Sequence, residues 1–184
     1  MKDLQLRGSG SILGDIQSGF IANVGLNIFN KYVIDSIEGK SEDKSSILET
    51  EIKLDCYWGS SIPKSYIDAD SERIDIYKRL EHSEPKKVDE IKNEIIDRFG
   101  NVPEITDNLF STAKIRSILQ KKEILRCKIR EFQVELFPVD LTEDLKLSIE
   151  KYDKRFIFRN KRLVLNFQHS LTPESTYELL DSIL

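Results

Sequence analysis

The stretch from Asp70 to Pro103 constrains this chain more than any other. It reads as two short helices with their punctuation in place. Asp70 or Ser71 offers a short side-chain oxygen to the free amides of a first turn. Ile74, Tyr77 and Leu80 then fall on one side at helical spacing. Pro85 suits the first turn of a second helix, where a missing N–H is no loss. Val88, Ile91, Ile95 and Phe99 form one stripe along it. Gly100 supplies a left-handed residue to end that helix, and Pro103 prevents its resumption. The pattern predicts a helical hairpin with a buried seam and a charged outside.

The same residues carry a resemblance. Tyr77-Lys78-Arg79-Leu80, and then Glu90-Ile91-Lys92-Asn93-Glu94-Ile95-Ile96-Asp97-Arg98-Phe99-Gly100-Asn101-Val102-Pro103, resemble the C-terminal domain of the bacterial transcription-repair coupling factors. Those are ATP-driven DNA translocases that remove stalled RNA polymerase. The function is what the resemblance implies; the periodicity alone does not reach it.

A chain of 184 residues suffices for one domain and an appendage. No apolar run approaches the ~18 residues of a spanning helix, and Met1 to Arg7 contain no signal-peptide core. Cys56 and Cys127 belong to no C-x-x-C pair, which points to free thiols in a reducing cytoplasm. A net charge of −4 does not favour a dedicated nucleic-acid binder.

Residues 1–40 differ in character. Arg7-Gly8-Ser9-Gly10-Ser11-Ile12-Leu13-Gly14 is a glycine-rich loop, and Phe20 to Ile37 has helical spacing. By turn chemistry alone the glycines serve turns. The pattern Arg7-Gly8-x-Gly10-x-x-Leu13-Gly14-x-x-Gln17-Ser18-Gly19 is similar to the end of the second, RecA-like motor lobe in this family and in the fork helicase RecG. The resemblance implies a translocation motif, with Arg7 and Gln17 as its polar coupling residues beside Gly8, Gly10 and Gly14. Ser9 stands where a small residue is usual. On this reading the chain is a fragment: 1–40 end a motor lobe, 41–46 are a linker, and 47–184 form a C-terminal regulatory domain. Gly39-Lys40-Ser41 is not a phosphate loop, because the first glycine of that motif would fall on Ile34 and no strand precedes it. The resemblance implies ATP and magnesium in the full-length parent, and no cofactor or metal is expected in this fragment.

Beyond the linker the expectation is α+β, a small mixed or antiparallel sheet packed with several helices. Ile47 to Leu54 alternate as a strand, and Cys56 to Pro63 lead away irregularly. Trp58 is expected in the core rather than at a partner. A third helix spans about Glu104 to Lys122, with Ile105, Leu109 and Ala113 inward. Ile124 to Lys128 and Phe132 to Leu136 read as strands, and Pro138 breaks the second. Thr142 caps a helix whose first turn carries Glu143 and Asp144. Phe156, Phe158, Leu163, Leu165 and Phe167 form a strand pair about Asn160-Lys161. Thr172-Pro173 open a terminal helix with Tyr177, Leu180 and Leu184 inward.

No catalytic constellation emerges. His82 and His169 lack companions at ligand spacing, and no G-x-S-x-G or H-E-x-x-H occurs. The one charged run is Lys114, Arg116, Lys121, Lys122, Arg126, Lys128 and Arg130, opposed only by Glu123. It reads as a solvated face or as a surface for phosphate or acidic protein. Three functions are open: an autoinhibitory interaction domain, an independent nucleic-acid-binding module using residues 114–130, and a self-contained enzyme. The resemblance favours the first. It implies docking on an N-terminal UvrB-like module of the same chain that masks the surface recruiting UvrA. RNA polymerase and double-stranded DNA would be met through the parent, and no membrane.

Overall fold

The computed structural model describes residues 52–152 and 156–184. Within them a five-stranded sheet and five helices give the α+β architecture that the sequence predicts. Strand β1 (Lys53–Cys56) is followed by three helices, α1 (Asp70–Glu81), α2 (Pro85–Phe99) and α3 (Glu104–Lys121). Strands β2 (Arg126–Arg130) and β3 (Gln133–Phe137) come next, then α4 (Glu143–Glu150), β4 (Ile157–Arg159), β5 (Arg162–Asn166) and α5 (Pro173–Ile183). The strand order is β1-β2-β3-β5-β4. β1 lies parallel to β2, as the long helical crossover between them permits, and every other pairing is antiparallel.

Alternation sets the sheet's two faces. Cys127 and Ile129 of β2, Val134 and Leu136 of β3, and Leu163 and Leu165 of β5 are buried and paired in register. They pack against Ile115, Ile118 and Leu119 of α3 and Leu179, Leu180 and Ile183 of α5. A second cluster fills the helical half: Ile76, Tyr77 and Leu80 of α1, Val88, Ile91 and Ile95 of α2, and Leu109, Phe110 and Ala113 of α3. Helix α3 thus serves both clusters. It buries residues almost all the way round, including Thr106, Ser111, Thr112, Arg116 and Ser117.

Several expectations shift in detail. Asp70 is the first residue of α1 rather than its cap; Ala69 holds the cap position without a side-chain bond. The Asp70 carboxylate instead takes the Arg73 guanidinium one turn on. Gly100 does end α2 at φ 82°, but with ψ −156°. That lies beyond the left-handed helical well, in a region that side chains other than glycine's hydrogen essentially avoid. The inward stripe of α3 is Thr106, Leu109, Phe110 and Ala113, and Ile105 is 38% exposed. Ile105 lies in the first turn of α3, beside Gly59 and outside the cluster. Both strands after α3 begin later than the alternation suggests, and Phe132 is left in the turn, 46% exposed. Asn160 and Lys161 adopt φ 50° and φ 60°, as a tight hairpin turn requires. Thr142 caps α4 through Leu145 N at 3.2 Å. Thr172 and Ser175 complete a capping box on α5. Of the three residues expected inward on α5, Leu180 is fully buried, while Tyr177 and Leu184 pack at the edge of the core. Trp58 is in the core, its indole N–H donating to Thr112 Oγ1 at 3.1 Å.

Candidate interaction surface

The outer face of the α1–α2 hairpin is a lattice of ion pairs. Arg79 grips Glu94 with both guanidinium nitrogens, at 3.0 and 2.5 Å, and reaches Asp75 at 3.7 Å. Arg98 pairs with Glu72 at 2.6 Å and Glu94 at 3.6 Å, and its guanidinium lies 4.8 Å from the Phe99 ring centroid. Lys92 pairs with Asp107, which ties α2 to α3. The hydrogen bond from Arg79, with its charge and that of Arg98, holds the Glu94 carboxyl below its ordinary range. This face is polar and nearly self-neutralised.

Beneath it, one charged residue is wholly interior. Arg73 of α1 is 1% exposed. It donates to Ile67 O at 2.8 Å and Asp68 O at 3.4 Å, besides pairing with Asp70. Tyr77 accepts from Ile62 N at 2.8 Å, and burial pushes its phenol up to about 12. Together they fix the irregular segment 62–69 against the hairpin. Arg73 carries no distinguishing mark in the sequence, since an arginine three residues after an aspartate looks like an ordinary surface pair. The only hint is its phase, one turn before the buried Ile76 and Tyr77.

The basic segment does not form one patch. Lys114 is enclosed between Asp89 of α2, at 2.7 Å, and the Tyr177 ring of α5, 5.0 Å from its nitrogen. Burial opposes its charge, but Asp89 and Glu174 hold its pKa above the ordinary lysine value. Arg116 is buried on α3. Lys121 reaches Glu84 at 3.1 Å, and Lys122 is exposed beside it. Arg126, Lys128 and Arg130 lie elsewhere, on the outward face of β2, where Arg130 clamps Asp55 at 3.2 and 2.5 Å. The seven residues are therefore divided between a helical packing layer and the open side of the sheet.

His82 lines a recess of about 280 Å³ with Glu84, Ser117, Gln120 and Lys121. His169 stands edge-on to Phe167, with ring centroids 6.0 Å apart. Burial raises the Cys56 thiol to about 12 and pushes Cys127 well above its ordinary value, so neither is a ready thiolate. Among the described residues no cluster of His, Cys, Asp and Glu could hold a metal ion. No described helix is long and apolar enough to cross a membrane. Arg7, Gly8, Gly10, Gly14 and Gln17 lie outside the described residues.

A family model described as the TRCF domain matches residues 58–151, which contain the whole hairpin, α3, β2, β3 and α4. The chain belongs to the transcription-repair coupling factor family. It is 33% identical over 141 residues to the transcription-repair-coupling factor of Bacillus subtilis (strain 168), covering 71% of this chain and 12% of that protein. It is 37% identical over 125 residues to that of Buchnera aphidicola subsp. Acyrthosiphon pisum (strain APS), covering 65% of this chain and 15% of the relative. The chain thus spans a small part of the coupling factors it matches. Its fold resembles the crystal structure of the C-terminal domain of transcription-repair coupling factor at a TM-score of 0.62 and 20% identity. That match covers 73% of this chain and 90% of the other.

Proposed function

We propose that this chain supplies the C-terminal regulatory domain of an ATP-dependent DNA translocase that displaces stalled RNA polymerase and recruits excision repair. The reading rests above all on the match to the coupling-factor C-terminal domain, 90% of which is covered by this fold. In this reading the domain hydrolyses no ATP itself. The nucleotide and magnesium belong to the motor, and residues 1–40 end that motor with Arg7 and Gln17 as coupling residues. Residues 41–46 link it to a domain from 47 to 184. The domain closes over an N-terminal UvrB-like module of the same chain and masks its UvrA-recruiting surface. The ion-paired outer face of α1 and α2 suits that role, since charged rims steer docking while adding little irreversible affinity.

The test is a titration of the intact parent and of a version lacking residues 47–184 with UvrA. Truncation should tighten UvrA binding and loosen control of the motor's ATPase. Equal affinities in the two proteins would leave the masking role without support.

A further inference from the structure

The outward face of the sheet carries a feature that the proposed function leaves unassigned. Register places Lys53 beside Arg126 and Arg126 beside Phe137. The β3–β5 ladder, continued one step past Leu136 and Leu163, brings Phe137 to Arg162, which is paired with Arg159. These five residues form one row across all five strands. The row is roughly 19 Å long, at about 4.8 Å per interstrand step. Its side chains share a face: the Arg126 guanidinium lies 5.9 Å from the Phe137 ring centroid, and Arg162 reaches Glu135 at 3.3 Å.

Four of the five positions are cationic, and both ends are like-charge pairs set directly opposite, Lys53 with Arg126 and Arg159 with Arg162. Such cross-strand pairs repel each other. Among the described residues, Lys53, Arg126 and Arg159 make no ion pair, and all three are exposed. The adjoining row, about 7 Å further along the strands, runs Asp55, Lys128, Glu135, Val164 and Ile157. Its two carboxylates face Arg130 and Arg162.

This arrangement selects among anions. A broad acidic protein surface laid on the sheet would bring its carboxylates against Asp55 and Glu135. A narrow linear polyanion following the row would avoid Asp55 and would meet Glu135 only where Arg162 already neutralises it. At the centre, Arg126 over Phe137 presents a guanidinium plane, a platform on which an unpaired base stacks and a paired base cannot. The row is also arginine-rich, which suits the bidentate recognition of phosphate. We propose that the row Lys53–Arg126–Phe137–Arg162–Arg159 is a track for single-stranded nucleic acid. Its recognition is of backbone phosphates with one stacked base, and is therefore indifferent to sequence.

This site lies apart from the α1–α2 face, so it stands or falls independently of the masking role. The probe is a fluorescein-labelled oligothymidylate of about 12 nucleotides, titrated with the 184-residue chain and followed by anisotropy. Binding through about three phosphates gives a slope of log K against log salt near −2, a loss of about 20-fold between 50 and 200 mM salt. The K53A/R126A/R159A variant should bind at least about tenfold more weakly at the lower salt, as the loss of roughly three phosphate contacts demands. The K78A/K86A variant, which removes exposed lysines of α1 and α2, should bind like the parent chain. Circular dichroism and the thermal midpoint check that both variants are folded. Unchanged binding by the folded triple variant overturns the track. So does duplex binding as tight as single-strand binding, and so does competition by polyglutamate equal to that by unlabelled oligothymidylate, which would reassign the face to an acidic protein.

Discussion

Ile95 offers the sharpest test of how the helical half is held together. Its side chain is completely buried among residues of α1, α2 and α3. Replacing it by alanine removes three carbons from that cluster. Transfer alone costs about 2.4 kcal/mol, at ~0.8 kcal/mol per buried carbon. The neighbours come from three helices and an anchored loop, so the site collapses only partly. A residual cavity of roughly 30–80 Å³ adds about 0.7–2 kcal/mol at ~24 cal/mol per Å³. Ile95→Ala should therefore destabilise by about 3–4.5 kcal/mol, a large share of the roughly 5–15 kcal/mol typical of a domain. Urea unfolding followed by circular dichroism measures this, with the slope unchanged if the denatured state is unaffected. The control is Lys92→Ala at the half-buried flank of the same helix, which loses one ion pair to Asp107 but no core contact, and should cost less than about 1 kcal/mol. A loss under about 1 kcal/mol at Ile95, or equal losses at the two sites, would refute the packing argument.

Arg73→Met should cost about 1–3 kcal/mol, because it strips a buried donor from the Ile67 and Asp68 carbonyls; a neutral effect in the same urea assay would mean segment 62–69 is not anchored there. Thr172→Ala removes the capping box of α5 and should lower stability by about 0.5–2 kcal/mol, with a matching fall in thermal midpoint. Glu94 has a lowered folded-state pKa, so its contribution is present above the ordinary carboxylate pKa and is lost as pH falls through the folded value. The stability difference between the parent and Glu94→Gln should thus shrink on acidification, and a gap that widens would contradict the sign. Cys56 and Cys127 should react slowly with a thiol reagent at neutral pH until denaturant is added; fast labelling of the native chain would show that burial does not suppress their thiolates. Limited proteolysis should cut first near Ser41 to Ser46, and a first cut within Val88 to Phe99 would argue against a linker there.

What could be read from the sequence is the part governed by neighbours along the chain. The α1–α2 hairpin is legible because Pro85, the Val88–Ile91–Ile95 stripe and Gly100 act within a few residues of one another. The terminal helix is legible for the same reason, through Thr172 and Pro173. The parallel pairing of Lys53 with Arg126 has no local signal, since three helices separate the two strands in the chain. The basic segment misleads as a linear run. Its charges are adjacent in sequence, but a helix end and a strand send them to different layers, while Lys53, Arg159 and Arg162 join its second half from far away. The cationic row is consequently invisible until the register is known. Arg73 is hidden because an Asp70–Arg73 spacing is common on exposed helices, and only the chain folding over it makes it interior.

Helix α3 is common property of two cores. Ile115, Ile118 and Leu119 belong to the sheet's cluster, while Leu109, Phe110 and Ala113 belong to that of the hairpin. Neither cluster can dissolve without uncovering one end of the same rod, so the two should melt as one cooperative foldon. Amide exchange along α3 should then slow to a single common rate, with no step at Lys114 between its halves.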